Sequence, residues 1–260
     1  MLGGFMHRTQ YRNRLLSCWP RDFDSLRVLD WIDGDGTTPT VGPTLTLTGT
    51  ATTRGATMPL RHRCSTKGEG GVVGATAFAT GSHYKYTAAA VDPGTKDHVV
   101  LVLVRPTEAL PSAAVIYCGT RTVTTTTVGW RIGQTATPGQ AIFSCHDGST
   151  HVYGAVAAAL VQNKVTLLIG VHDYDGNTTL YTAGAAAAAS NASTTVIGAV
   201  DSTLGIGING APAGTGDYGN DIHRVQVLYG TNLADSWTAA YVASVQAKIL
   251  GDGRTWVIGS

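Results

Sequence analysis

Charge is what this 260-residue sequence has least of: Asp, Glu, Lys and Arg make up 13% of it, against roughly 25% in ordinary globular domains. Glu is nearly missing and occurs only at Glu69 and Glu108. So few charges exclude a coiled coil, which needs charged positions beside its apolar seam. The net charge of +1 gives no overall attraction to nucleic acid or to an anionic membrane. Long apolar runs are also missing. Val152–Val161 is among the longest, and a membrane-spanning helix needs roughly 20 residues. The opening Met1–Arg8 has no basic-then-apolar order, so no secretory signal is expected. Cys18, Cys64, Cys118 and Cys145 form no CxxC pair, which removes the usual local clip of a zinc site. Free thiols in a reducing cytoplasm are expected, with one long-range disulfide as the alternative.

What is present is Gly, Thr, Ala and β-branched residues, in a 43% hydrophobic chain with 33 glycines. Such a chain is not disordered. Short strands are expected at Leu26–Ile32, Thr44–Thr53, Asp97–Arg105, Ala113–Cys118, Val128–Ile132, Gln140–His146, Lys164–His172, Thr178–Ala183, Ser202–Ile208 and Asp221–Tyr229. Asp97–Arg105 is continuously apolar at its centre and suits a strand covered on both faces. In Lys164–His172, period two puts Val165, Leu167, Ile169 and Val171 on one face. In Asp221–Tyr229 it puts His223, Val225, Val227 and Tyr229 on one face and Arg224 and Gln226 on the other. Asp175-Gly176 is a hairpin signal, because both residue types tolerate positive φ. Ala185–Ala189 is expected to join two strands across the surface. Many short strands with frequent turns predict an all-β sandwich or barrel.

One helix is expected over 235–250. Asp235 is its N-cap, Trp237, Ala240, Tyr241, Val245 and Ile249 form its apolar stripe, and Lys248 and Gly251 mark its end. The first 25 residues differ from the rest. Arg8, Arg12, Arg14 and Arg21 precede the first acidic residue, Asp22, and Trp19 stands among them. Residues 1–25 therefore read as an arm. It either packs on its own domain or docks to an assembly partner through arginines.

The C-terminal third carries an ordered set of motifs. A strand enters the hairpin Asp173-Tyr-Asp-Gly-Asn-Thr-Thr-Leu-Tyr-Thr-Ala-Gly184. Leu204-Gly-Ile-Gly207 follows, then the strand Asp221-Ile-His-Arg-Val-Gln-Val-Leu-Tyr229, then Asn232-Leu-Ala-Asp235 before the helix. In order and spacing, Lys164–Leu250 resembles the concanavalin A-like lectin/glucanase superfamily, in its laminin-G and pentraxin-like branch. The resemblance implies a two-sheet antiparallel jelly roll over residues 26–260 with one short C-terminal helix. It does not imply one activity, since that fold serves lectins, glycosidases and structural modules.

The residues sort these functions. A glycosidase needs two carboxylates flanking the scissile bond, and the family's hydrolases arrange theirs as E-x-D-x-x-E. That pattern is missing here. The Asp22/Asp24, Asp33/Asp35 and Asp173/Asp175 pairs sit where Asp forms turns. No G-x-S-x-G or phosphate-loop motif occurs. The adjacent Cys145 and His146 point to opposite faces of a strand. Calcium takes hard oxygen ligands from loops, and the resemblance makes it the one candidate ion. Asp30, Asp33 and Asp35 form one acidic stretch, and Asp217 and Asp221 another, with turn formation as the competing reading. Tyr174 and Tyr218 fall in loops and are the candidate sugar platforms. Trp130 and Tyr181 fall in strands and read as core.

Three functions are carried forward. The first is a non-enzymatic surface or decoration subunit of a phage or viral particle, assembled in the host cytoplasm. It would meet other structural proteins, or copies of itself, through Arg8, Arg12, Arg14, Trp19 and Arg21. The second is a glycan-binding adhesion module, a lectin that works with or without calcium. The third is a glycoside hydrolase.

Overall fold

Ten consecutive residues from Asp97 to Pro106 are buried, and the reason is that side chains on both faces of this strand meet apolar layers. The computed structural model describes residues 19–32, 37–48, 51–54, 59–61, 70–72, 75–78, 83–87, 93–106, 114–120, 128–146, 151–152, 156–162, 164–182, 188–192, 203–207, 220–250 and 257–258. In chain order the strands begin with β1 (Arg27–Ile32), β2 (Thr46–Thr48), β3 (Ala51–Arg54), β4 (Pro59–Arg61), β5 (Gly70–Val72), β6 (Ala75–Phe78) and β7 (His83–Thr87). The central strands are β8 (Asp97–Pro106), β9 (Val115–Gly119), β10 (Gly129–Gln134), β11 (Gln140–His146), β12 (His151–Val152) and β13 (Val156–Ala158). The last are β14 (Thr166–His172), β15 (Asn177–Thr182), β16 (Ala188–Ala192), β17 (Thr203–Gly207), β18 (Asn220–Gly230) and β19 (Val257–Ile258).

These strands form two antiparallel sheets of eight, packed face to face. The first runs β16-β15-β14-β8-β18-β6-β3, with β1 also on β18. The second runs β12-β11-β10-β9-β17-β7-β2, with β13 also on β11. A small third sheet joins β19, β4 and β5. Crossovers between non-consecutive strands make this a jelly roll, as the sequence predicts.

Two apolar layers lie on the first sheet. Between the sheets, Val100, Val102, Val104, Leu168, Val225 and Val227 meet Tyr117, Trp130, Ile132, Phe143, Leu204 and Ile206. On the outer face, Val99, Leu101, Leu103, Val165, Leu167, Ile169 and Val171 meet Trp237 and, from the C-terminal helix, Val242, Val245 and Ile249. Period two thus places β8 and β14 as expected. In β18 a bulge between Ile222 and Arg224 breaks the strict alternation, so Ile222 joins Val225, Val227 and Tyr229 in the inner layer.

Three expectations need correction. Thr44–Thr53 is two strands, β2 and β3, which belong to different sheets. Ala188–Ala192 is an edge strand paired with β15, because the open hydrogen-bonding edge of β15 recruits it. The helix over 235–250 is broken into Leu233–Ser236 and Ala239–Leu250. Thr238 caps the longer piece, accepting from the Tyr241 amide through its hydroxyl at 3.3 Å, so Asp235 is not its N-cap. Its buried stripe includes Val242, whereas Ala240 is exposed. Trp19 of the expected arm lies on its own domain. Trp19 is 2% exposed and packs in the outer layer.

Candidate functional site

The end of the sandwich where β8 begins and β14 ends is held by one carboxylate. Asp97 Oδ1 accepts the Tyr174 amide at 2.9 Å, and Oδ2 accepts the Ala234 amide at 3.0 Å. Asp97 thereby ties the β14–β15 turn to the first turn of helix Leu233–Ser236. A carboxylate held by backbone N–H groups at a helix start is favourable in both charge and hydrogen bonding.

The turn itself is closed by the Asp173 amide donating to the Asn177 carbonyl at 3.1 Å and the Gly176 amide donating to the Asp173 carbonyl at 3.3 Å. The Asp175 amide donates to Asp173 Oδ1 at 3.3 Å, an Asx turn. The hairpin forms as the sequence predicts, but without positive φ at Asp175 or Gly176. A Cβ at Gly176 would lie 2.1 Å from Asp173 Oδ2, so a larger residue there would displace the Asp173 carboxylate from its bond with the Asp175 amide. Partial burial, a hydrogen bond with the Asp175 side chain and the charges of Asp97 and Asp175 push the Asp173 carboxyl up to about 6. Tyr174 is half-buried at the top of this turn, on a backbone fixed by Asp97.

The acidic stretch near Asp30 is organised differently. Asp30 is 0% exposed. Arg224 donates to it twice, Nε to Oδ1 at 2.9 Å and a terminal nitrogen to Oδ2 at 2.7 Å. Arg27 donates to Oδ2 at 2.9 Å and also pairs with Asp24. Both carboxylate oxygens are therefore engaged by guanidinium groups, and the structure makes Asp30 an ion-pair residue rather than a calcium ligand. Trp19 covers the pair, with the Arg224 guanidinium carbon 4.4 Å from its ring centroid and its Nε1 donating to Gln226 Oε1 at 2.8 Å. Trp19 is thus an anchor on its own domain and not a free docking residue. Arg21 beside it is exposed.

The remaining site residues are less fully placed. Asp221 lies in β18, opposite Arg105 of β8. Arg8, Arg12, Arg14, Asp33, Asp35, Asp217 and Tyr218 lie outside the described residues, as do Cys18 and Cys64. Among the described residues, no group of three or more His, Cys, Asp or Glu could hold a metal ion. Trp130 and Tyr181 meet the core expectation. Trp130 is fully buried and donates to the Tyr229 hydroxyl at 3.1 Å. Tyr181 packs against the outer layer. Sequence reasoning missed Asp97 and Arg224. A polar residue at the start of an apolar strand was the only signal for Asp97, and for Arg224 a charge inside one.

No family model and no curated protein matches the sequence. Solved structures do. Domain 4 of AbnA, a GH43 extracellular arabinanase from Geobacillus stearothermophilus, in complex with arabinotriose, is similar with a TM-score of 0.56 and 16% identity, over 85% of this chain and 98% of that one. The botulinum neurotoxin serotype D binding domain gives a TM-score of 0.58 and 10% identity, over 88% of this chain and 52% of that one. A botulinum neurotoxin type C structure, of a toxin whose cell entry depends on interaction with two ganglioside molecules, gives 0.54 and 12%, over 86% and 52%. The chain spans about half the length of these neurotoxin chains. The likenesses define the class by fold alone: a two-sheet antiparallel β-sandwich. Among the described residues, no helix is long and apolar enough to cross a membrane.

Proposed function

We propose that this protein is a non-catalytic carbohydrate-binding module, with Tyr174 as a sugar platform at the Asp97-held end of the sandwich. The observation that carries this reading is the match to nearly all of an arabinanase domain seen with arabinotriose. The ganglioside-dependent toxin structure supports the same ligand class. A fixed backbone beneath a partly exposed aromatic ring suits stacking on a sugar face, because little ordering entropy is lost on binding. The Asp175 amide donates to Asp173 Oδ1, which supports a turn role for this pair.

The test is a glycan array spanning arabino-oligosaccharides and sialylated oligosaccharides, with and without calcium. Specific binding that weakens by roughly 1–3 kcal/mol in Tyr174→Ala, with an unchanged unfolding midpoint, supports the reading. A blank array in both conditions overturns it. Loss of binding on calcium removal would assign the ion to the Asp33, Asp35 and Asp217 loops, since Asp30 is already paired.

The second reading is a surface or decoration subunit of a phage or viral particle. The low charge and the exposed Arg21 beside a buried anchor support it. Deleting residues 1–18 keeps Trp19 in place. It should abolish incorporation into the particle while leaving the unfolding midpoint unchanged, and unaltered incorporation would remove the reading.

A further inference from the structure

Two histidines face each other inside the inter-sheet layer, and the carbohydrate reading makes no use of them. His98 of β8 and His172 of β14 are direct cross-strand partners. Their ring centroids are 4.8 Å apart, and their exposures are 0% and 1%. Among the described residues, the side chains around the pair are aromatic, hydroxyl or thiol groups. Trp130 of β10 lies 5.7 Å from the His98 centroid, Phe143 of β11 5.6 Å and Tyr229 of β18 6.1 Å. Cys145 Sγ of β11 is 3.5 Å from His98 Nε2. Thr178 Oγ1 of β15 is 2.8 Å from His172 Nδ1. His98 Nδ1 has no hydrogen-bond partner among the described residues.

Among the described residues, the titratable side chains facing the pair are Tyr229 and Cys145, a phenol and a thiol that carry no charge in their ordinary protonated forms. The carboxylates next in sequence are engaged elsewhere. Asp97 is on the opposite strand face, on the Tyr174 and Ala234 amides. Asp173 is folded into its own turn. Nothing anionic among these groups offsets a charge on the pair. Burial, and then the neighbouring His172, hold His98 well below the ordinary histidine value.

We propose that the His98–His172 pair is an acid-sensitive latch for the end of the sandwich that carries the Tyr174 turn. Protonation puts positive charge between the sheets, next to a second imidazole. The response is separation of the β8 and β14 ends, which lets water reach the rings. Asp97 and Asp173 are the chain neighbours of the two histidines, so the Tyr174 turn loosens with them. The latch is a property of the fold and stands whether or not a sugar binds.

The sign follows from linkage. A histidine whose folded value lies below its unfolded value of 6.5 stabilises the fold fully above pH 6.5. That contribution is lost as pH falls toward the folded value. Each such histidine raises the unfolding equilibrium constant by up to about tenfold per pH unit in that window.

The experiment is urea unfolding from pH 7.5 to 5.0, followed by Trp fluorescence, for the wild type and for His98→Gln. The wild-type constant should rise steeply below pH 6.5, and His98→Gln should remove about one factor of ten per pH unit. Comparison at each pH cancels opposing carboxylate contributions, such as that of Asp173. Two measurements need no variant. The His98 Cε1–H proton resonance should stay at its neutral position in the folded protein to well below pH 6.5. Amide exchange at 97–100 and 170–174, corrected for intrinsic rates, should speed up at least tenfold from pH 7 to pH 5. A His98 resonance titrating near 6.5 without loss of stability overturns the proposal. So does an identical pH slope in His98→Gln, or exchange that is unchanged at both strand ends.

Discussion

Removing the Asp30 carboxylate with Asp30→Ala should be among the most damaging single changes to this fold. Arg224 is 0% exposed, and its charge is met by two bonds to Asp30, at 2.9 and 2.7 Å. The variant leaves a guanidinium buried under Trp19 without the carboxylate that neutralises its charge. Breaking a buried pair in this way costs about 3–5 kcal/mol. For a domain of this size that lowers the melting temperature by roughly 6–20 °C. The double variant Asp30→Leu with Arg224→Met should behave differently. Replacing a buried ion pair by apolar residues is neutral or gains about 1–4 kcal/mol. Against that stand the lost cation–π contact, about 0.5–2 kcal/mol, and the lost bond from Arg27, about 1–3 kcal/mol. At the middle of these ranges the double variant should therefore lie about 1 kcal/mol below the wild type and above the single variant. The assay is urea unfolding followed by Trp fluorescence, supported by calorimetry. A cost below about 1 kcal/mol for Asp30→Ala would refute the reasoning. So would a double variant as unstable as the single one.

Three further outcomes are expected. Gly170→Ala should destabilise by about 1–3 kcal/mol through overpacking, because its Cβ would stand 2.4 Å from the Phe143 ring; chemical denaturation checks this. Thr238→Ala should cost about 0.5–1 kcal/mol through loss of the helix cap, read as faster amide exchange at Tyr241. Asp173 has a folded value of about 6 against an ordinary 3.8, so the folded state holds its proton more tightly than the unfolded state does. Its contribution is present at low pH and lost as pH rises from about 4 through 6. Asp173→Asn should raise the unfolding midpoint above pH 6 and match the wild type near pH 4, and equal midpoints at pH 7 would contradict this.

Much of the architecture was legible in the sequence. Alternation in Lys164–His172 and the apolar run in Asp97–Arg105 assigned the faces of the two central strands, because period two depends only on local backbone geometry. The Asp175-Gly176 turn and the final helix were visible for the same local reason. Cooler signals misled where a non-local partner intervened. Thr44–Thr53 reads as one strand until two sheets divide it, and Ala188–Ala192 becomes a strand only beside β15. Thr238 rather than Asp235 caps the helix because the chain must first turn through Leu233–Ser236 to reach Asp97.

The site divides along the same line. The sequence by itself determined the class of fold, the scarcity of catalytic carboxylates and the placing of Tyr174 in a turn. Tertiary structure alone decided what the charges do. Asp30 and Arg224 lie 194 positions apart, and Trp19 and Gln226 lie 207 apart. Only sheet pairing brings them together, turning a strand acid and an arm aromatic into one buried ion pair and its cover. The His98–His172 contact has the same origin. Strand alternation tells which face a histidine takes, but cross-strand register decides what it meets there, and register is set by the packing of the whole sandwich.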